Sequence, residues 1–160
     1  MADRDPQIGN RANVAAYLDD YAAWLAEQAG LLREGRYNEL DVEYLLEELE
    51  SLAGSDFKAF VSAIRIVLLH MLKWDIQTDL HCASWANSIH SHREQMMDEL
   101  EKSPSYKSRI DEAVIKAYKR ARVAAADQTG LPLKQFPEIC PFSWPDIRDR
   151  PFIYVPPHAR

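Results

Sequence analysis

Cysteine and glycine are scarce in this sequence, with two and five residues respectively. Cys82 and Cys140 lie far apart and form no C-x-x-C pair, which excludes a secreted disulfide framework and fits two reduced thiols in a cytoplasm. Five glycines leave little material for a phosphate-cradling loop. The patterns G-x-x-x-x-G-K-[ST], G-x-G-x-x-G and G-x-S-x-G are all absent, which argues against nucleotide-dependent enzymes of the common kinds. No apolar run approaches the ~20 residues that span a bilayer, because Arg65, His70 and Lys73 interrupt the richest one. The N-terminus, Met-Ala-Asp-Arg-Asp-Pro, has no apolar stretch behind its charges, so no signal peptide is expected. Cations are in deficit: 19 Lys and Arg stand against 25 Asp and Glu, for a net charge of −6. Such a chain repels a phosphate backbone unless a segregated basic patch exists.

What is present reads as one helical domain. A chain of 160 residues falls in the usual range for a single domain and buries roughly 70% of its unfolded surface. Its composition, 47% apolar and 28% charged, is that of a globular protein rather than a disordered one. Residues 1–12 read as a polar, flexible lead-in with Pro6 and Gly9. A first helix starts at Asp19 or Asp20, carries Tyr21, Trp24, Leu25, Gln28, Leu31 and Leu32, and stops at Gly35. Asn38 is placed to cap a second, whose apolar face is Val42, Leu45, Leu46, Leu49 and Leu52 and whose end is Ala53-Gly54. Ser55 starts a third, reaching about Asp75. It is apolar round most of its circumference, through Phe57, Phe60, Val61, Ile64, Val67, Leu68, Met71, Leu72 and Trp74, which predicts a central position. A fourth helix over roughly 81–101 buries Trp85, Ile89, Met96 and Leu100. Ser103-Pro104 begins a fifth, with Ile110, Val114, Ala117 and Ala121 as its stripe and Gly130 as its stop.

From Leu131 onward the prolines at 132, 137, 141, 145, 151, 156 and 157 forbid a long helix or a central strand. Leu133, Phe136, Ile139, Phe142, Trp144, Ile147 and Phe152 between them predict a segment wrapped on the helices. There is no internal repeat and no alternating strand pattern. The expectation is therefore all-α: a bundle of about five helices over 13–150, wrap included, followed by a tail over 151–160.

Several separated strings carry a resemblance. YAAWLAEQAGLLREGRYNELDVEYLLEELESL (21–52), LLHMLKW (68–74), SW (84–85), SPS (103–105) and TGLPLKQFPEICPF (129–142) together resemble a bacterial family labelled "domain of unknown function 29", over roughly residues 17–150. The resemblance implies an all-helical fold, common in cyanobacteria and proteobacteria, and no settled activity. Ala63 and His92 stand where that family often has arginine and glutamine.

Four groups of side chains bear on chemistry. Asp41, Glu43, Glu47, Glu48 and Glu50 form an acidic run with no lysine or arginine inside it. On a helical wheel Glu43, Glu47 and Glu50 fall on a solvated stripe, whereas Glu48 lies at the edge of the buried face and needs a partner. His70 and His92 are predicted to face inward and His90 outward. Glu48, His70 and His92 would make a divalent-metal set gathered from three helices, yet no H-x-x-x-H or E-x-x-H pair occurs on one helix, and satisfied core histidines are the simpler reading. Arg65 and His70 form R-x-x-x-x-H, similar to the motif of the helical ribonucleases named for higher-eukaryote and prokaryote nucleotide-binding domains. There, arginine and histidine act on a scissile phosphate with the ribose 2′-hydroxyl as nucleophile. On a regular helix, however, the two side chains point roughly 140° apart. Lys107, Arg109, Lys116, Lys119, Arg120 and Arg122 form the basic cluster, without the interleaved aromatics that single-strand stacking requires.

The sequence thus favours a non-catalytic cytoplasmic interaction or regulatory module, with another protein as partner and no cofactor, and disfavours nucleic acid and membrane. A homo-oligomer stays open. The alternative is a hydrolytic enzyme, of the ribonuclease kind or metal-dependent, using Glu48, His70 and His92 with Arg65 or Arg93.

Overall fold

Helix ends are set by whatever satisfies the orphan N–H and C=O groups there. In the computed structural model, which describes residue 17 and residues 19–156, the first helix, α1 (Tyr21–Arg33), is capped by Asp20, whose carboxylate accepts the Ala23 N–H at 3.0 Å. It ends at Gly35, in the left-handed region at φ 72°. The Gly35 N–H then reaches the Leu32 carbonyl at 3.2 Å and the Arg36 N–H the Leu31 carbonyl at 2.9 Å, the two bonds of a Schellman stop. The remaining helices are α2 (Val42–Ile76), α3 (Ala83–Lys102), α4 (Ile110–Thr129) and the short α5 (Trp144–Asp149), and no strand occurs among the described residues. The fold is all-α. The lead-in expected over residues 1–12 lies outside the described residues.

Two expected boundaries are corrected. Asn38 does not cap a helix but lies in a 3₁₀ turn over Tyr37–Glu39. The buried Gln28 side chain accepts the Asp41 N–H at 2.8 Å, and the first bond of α2 runs from the Leu45 N–H to the Asp41 carbonyl. Nor does Ala53-Gly54 end a helix: the expected second and third helices are one helix of 35 residues. Only Gly35 and Gly130 take positive φ among the described residues, so Gly54 stays right-handed. A helical glycine costs about 1 kcal/mol relative to alanine, which the cooperative ladder on both sides tolerates when no proline follows.

The chain divides into two compact units at Leu52/Ala53, inside α2. In the first, Trp24, Gln28, Leu31 and Asp41 are buried. Tyr17 stacks on Tyr44 with centroids 4.6 Å apart and meets Trp24 edge-on at 4.9 Å. The expected burial of the second apolar face is wrong: Val42, Leu46, Leu49 and Leu52 are 64%, 54%, 64% and 63% exposed. The side of α2 that is shielded carries Asp41, Tyr44, Leu45 and Glu48 instead, because the tyrosines of this unit pair with Tyr44 and Glu48.

The second unit is built round the rest of α2, where Phe60, Ile64, Val67, Leu68 and Met71 are wholly buried. They share one core with Ile89, Met96 and Leu100 of α3 and with Ala113, Ala117, Ala121 and Ala125 of α4. The alanine spacing of four gives α4 a smooth stripe that permits close approach. Phe136, Ile147 and Phe152 of the proline-rich segment complete this core. Leu133 and Ile139 do not, being 41% and 83% exposed.

That segment has few partners of its own, since proline removes donors and no ladder collects its carbonyls. Bundle side chains supply them. Arg93, 9% exposed, donates from Nε to the Ile147 carbonyl at 2.7 Å, from Nη1 to Arg150 at 2.7 Å and from Nη2 to Asp146 at 2.9 Å. Arg122 reaches the Phe136 and Leu133 carbonyls, and the Tyr118 hydroxyl reaches Pro137 at 2.6 Å. Arg150 forks onto Asp75. Ser143 and Asp146 close a capping box at the start of α5.

Arg93→Met should lower unfolding stability by about 3 kcal/mol in urea titrations, with a red shift of tryptophan emission as Trp144 loosens; Arg93→Lys, lacking the fork, should recover only part of it. Gly54→Ala tests the continuity of α2. Beyond the chain neighbours and the helix's own adjacent backbone, no atom lies within 4 Å of the added Cβ, so the variant should gain about 1 kcal/mol; a loss would mean that the helix breaks there.

Candidate functional site

The residues singled out for metal chemistry are not gathered. Glu48 belongs to the first unit, where the Tyr17 hydroxyl donates to Oε1 at 2.6 Å and the Tyr21 hydroxyl to Oε2 at 2.7 Å. These two bonds hold its carboxyl below the usual range and push the Tyr17 phenol up to about 12. His70 and His92 belong to the second unit. The His92 Nδ1–H donates to the Ser88 carbonyl at 2.8 Å. Among the described residues no group of three or more His, Cys, Asp or Glu is placed to hold a metal ion.

His70 is half-buried, and its Nδ1 is buried without a hydrogen-bond partner. Burial, and then the Lys73 ammonium and His92, push its pKa down to about 4. The ring is therefore neutral near pH 7. Arg65, five residues earlier on the unbroken α2, is partly buried and faces roughly 140° away round the helix. His90, expected to point outward, is exposed as a residue but donates through Nε2 to the Phe152 carbonyl at 3.3 Å. Arg93, named beside Arg65 as a conceivable partner in hydrolysis, gives donors on all three of its nitrogens to the carbonyls described above.

Sequence reasoning missed Lys73. It is 9% exposed, donates to the Gln128 side chain at 3.1 Å and lies 4.4 Å from the centre of the Trp85 ring. Burial lowers its pKa. A single lysine in the third-helix pattern looks like a surface position, and its shielding by Trp85 from another helix leaves no local signal.

The basic cluster divides four ways. Arg109 and Lys116 both hold Glu112, whose carboxyl is pulled down to about 2 by Arg109 and then Lys116. The Arg109 guanidinium also covers the Phe57 ring at 3.5 Å. Arg122 turns to the proline-rich segment. Lys116, Lys119 and Arg120 line a groove of about 380 Å³ with Lys58, over a floor of Phe57 and Val61. Lys107 lines a separate groove of about 520 Å³ with Met97, Glu101, Trp144 and Arg148.

On the first unit, Val42, Leu46 and Leu49 fall within ~60° of one another round α2, with Glu43, Glu47 and Glu50 along the adjacent ~60°. All six side chains are exposed. Leu25 and Leu32 of α1 are also open to solvent, at 38% and 48%. Residues 37–57 contain no lysine or arginine.

The fold is that of an all-α protein, and no helix among the described residues is long and apolar enough to cross a membrane. The chain belongs to the family described as "Domain of unknown function DUF29", whose profile matches residues 16–153 of the 160. No curated protein and no solved structure matched it.

The depressed pKa of His70 has a consequence for stability. Unfolded, the ring takes a proton near pH 6.5; folded, it resists until about 4. The unfolded state therefore binds more protons in that window, and stability falls as pH drops from about 6.5 towards 4. His70→Gln should flatten this part of the urea-midpoint profile against pH, and an unchanged slope would assign the loss to other groups.

Proposed function

We propose that the chain is a non-catalytic protein-interaction module of the cytoplasm, and that the leucine ridge at the start of α2 is its docking face. The observation that carries this is the exposure of Val42, Leu46, Leu49 and Leu52, each more than half open to water on a regular helix. Contiguous apolar surface bordered by charge marks interaction sites in soluble proteins. The border is acidic, Glu43, Glu47 and Glu50, with no cation to neutralise it from within residues 37–57. The partner chemistry that fits is an amphipathic helix with an aliphatic stripe flanked by lysine or arginine. The hydrolytic alternative draws no comparable support, since His70 has no acidic or basic partner on its free ring nitrogen.

A labelled helical peptide with a leucine stripe flanked by lysines should bind the protein, more weakly as salt rises. Leu46→Glu with Leu49→Glu should weaken it by about tenfold or more, and the same peptide flanked by glutamates should not bind. Equal binding of both peptides, or indifference to the two leucines, would remove the ridge as a docking face.

A further inference from the structure

The groove over Phe57 and Val61 faces the opposite chemistry. Lys116, Lys119 and Arg120 rise from one face of α4 at spacings of three and four residues, and Lys58 stands on α2. Neighbours at those spacings lie about 5–6 Å apart. Lys116 shares Glu112 with Arg109, whereas Lys58, Lys119 and Arg120 form no ion pair among the described residues.

Three cations outside any ion pair among the described residues, above an apolar floor, call for an anionic ligand with apolar side chains. A nucleic acid is a poor match: Phe57 is only 6% exposed and its ring is already covered by Arg109, so no base can stack on it. An acidic amphipathic helix matches in repeat, because its carboxylates recur at three and four residues beside an apolar stripe. This chain carries such a helix. Glu43, Glu47 and Glu50 run beside Val42, Leu46 and Leu49 with the same spacing, and both stripes are open to solvent.

We infer that the groove lined by Lys58, Lys116, Lys119 and Arg120 receives the acidic leucine ridge of a second copy of this chain. The inference rests on the reading of the ridge as a docking face and names one occupant for it. The two faces differ, so the contact is heterologous: it closes as a reciprocal pair or a ring, or else propagates.

Analytical ultracentrifugation of the full chain tests this. The wild-type mass should rise above the monomer with concentration and fall back as salt increases. Lys119→Glu with Arg120→Glu, and separately Glu43→Lys with Glu47→Lys, should each weaken association by about tenfold or more. Helical circular dichroism checks that both variants fold. Mixed in equal amounts, the two variants should associate again, since each then presents to the other a face of opposite charge. A wild type that stays monomeric overturns the inference, as does a mixture that stays monomeric. Association that survives Lys119→Glu with Arg120→Glu overturns it too, because a symmetric ridge-to-ridge dimer behaves that way. If the lysine-flanked peptide binds the ridge of a chain that stays monomeric, the module reading stands and this inference alone fails. If neither peptide nor second copy binds, both fail.

Discussion

Three backbone carbonyls of the proline-rich segment, those of Asp146, Ile147 and Arg150, converge on one buried guanidinium. Without Arg93 those acceptors would face apolar side chains unpaired, and the segment could not lay Ile147 and Phe152 into the core. A lysine could not replace it, because only a planar fork presents several N–H groups in fixed directions. The guanidinium is itself taken from water, which on its own is costly, and the aligned carbonyls at the end of α5 offset that cost with the negative end of the helix dipole. One residue thus decides whether the last part of the second unit is structure or tail. Arg122 and Tyr118 repeat the device at smaller scale.

How much of this was legible depends on whether the signal was local. Asp20, Gly35 and Gly130 act within one turn of where they stand, and the sequence marks them at the right places. The apolar girdle from Phe60 to Leu72 is likewise local and announces a central helix. Gly54 misled because glycine is a stop only in the left-handed conformation, and nothing after it forces that. Asn38 misled because the competing anchor, the Gln28 side chain on the Asp41 N–H, comes from another helix. Arg93 and Lys73 were unreadable for the same reason: a buried cation is identified by carbonyls or rings distant in sequence. The metal set of Glu48, His70 and His92 was assembled from helical wheels, which give the direction of a side chain but not whether two directions meet.

The charges on and just before α4 show how one cluster can serve several ends. Near the start of the helix, Asp111 and Glu112 complement the dipole, and Glu112 draws in Arg109 and Lys116. Such exposed pairs contribute little to stability, but they place Arg109 over the Phe57 ring and so close that face to stacking. Arg122 is drawn inward by carbonyls. Lys119 and Arg120, with Lys58 across from them, face solvent over an apolar floor, which makes them available to an anion from outside.

The two units differ in what fills them, and the difference bears on function. The second has an aliphatic core, with alanines admitting α4. The first is lined by Tyr17, Trp24, Tyr44 and the Glu48 carboxylate held by two hydroxyls. The two hydrogen bonds give this contact a direction that a purely aliphatic one would lack. Once Glu48 is turned to the tyrosines, the 3.6-residue period obliges Val42, Leu46 and Leu49 to face water. The exposed ridge is therefore not a failure of packing but the geometric counterpart of the Glu48 pairing.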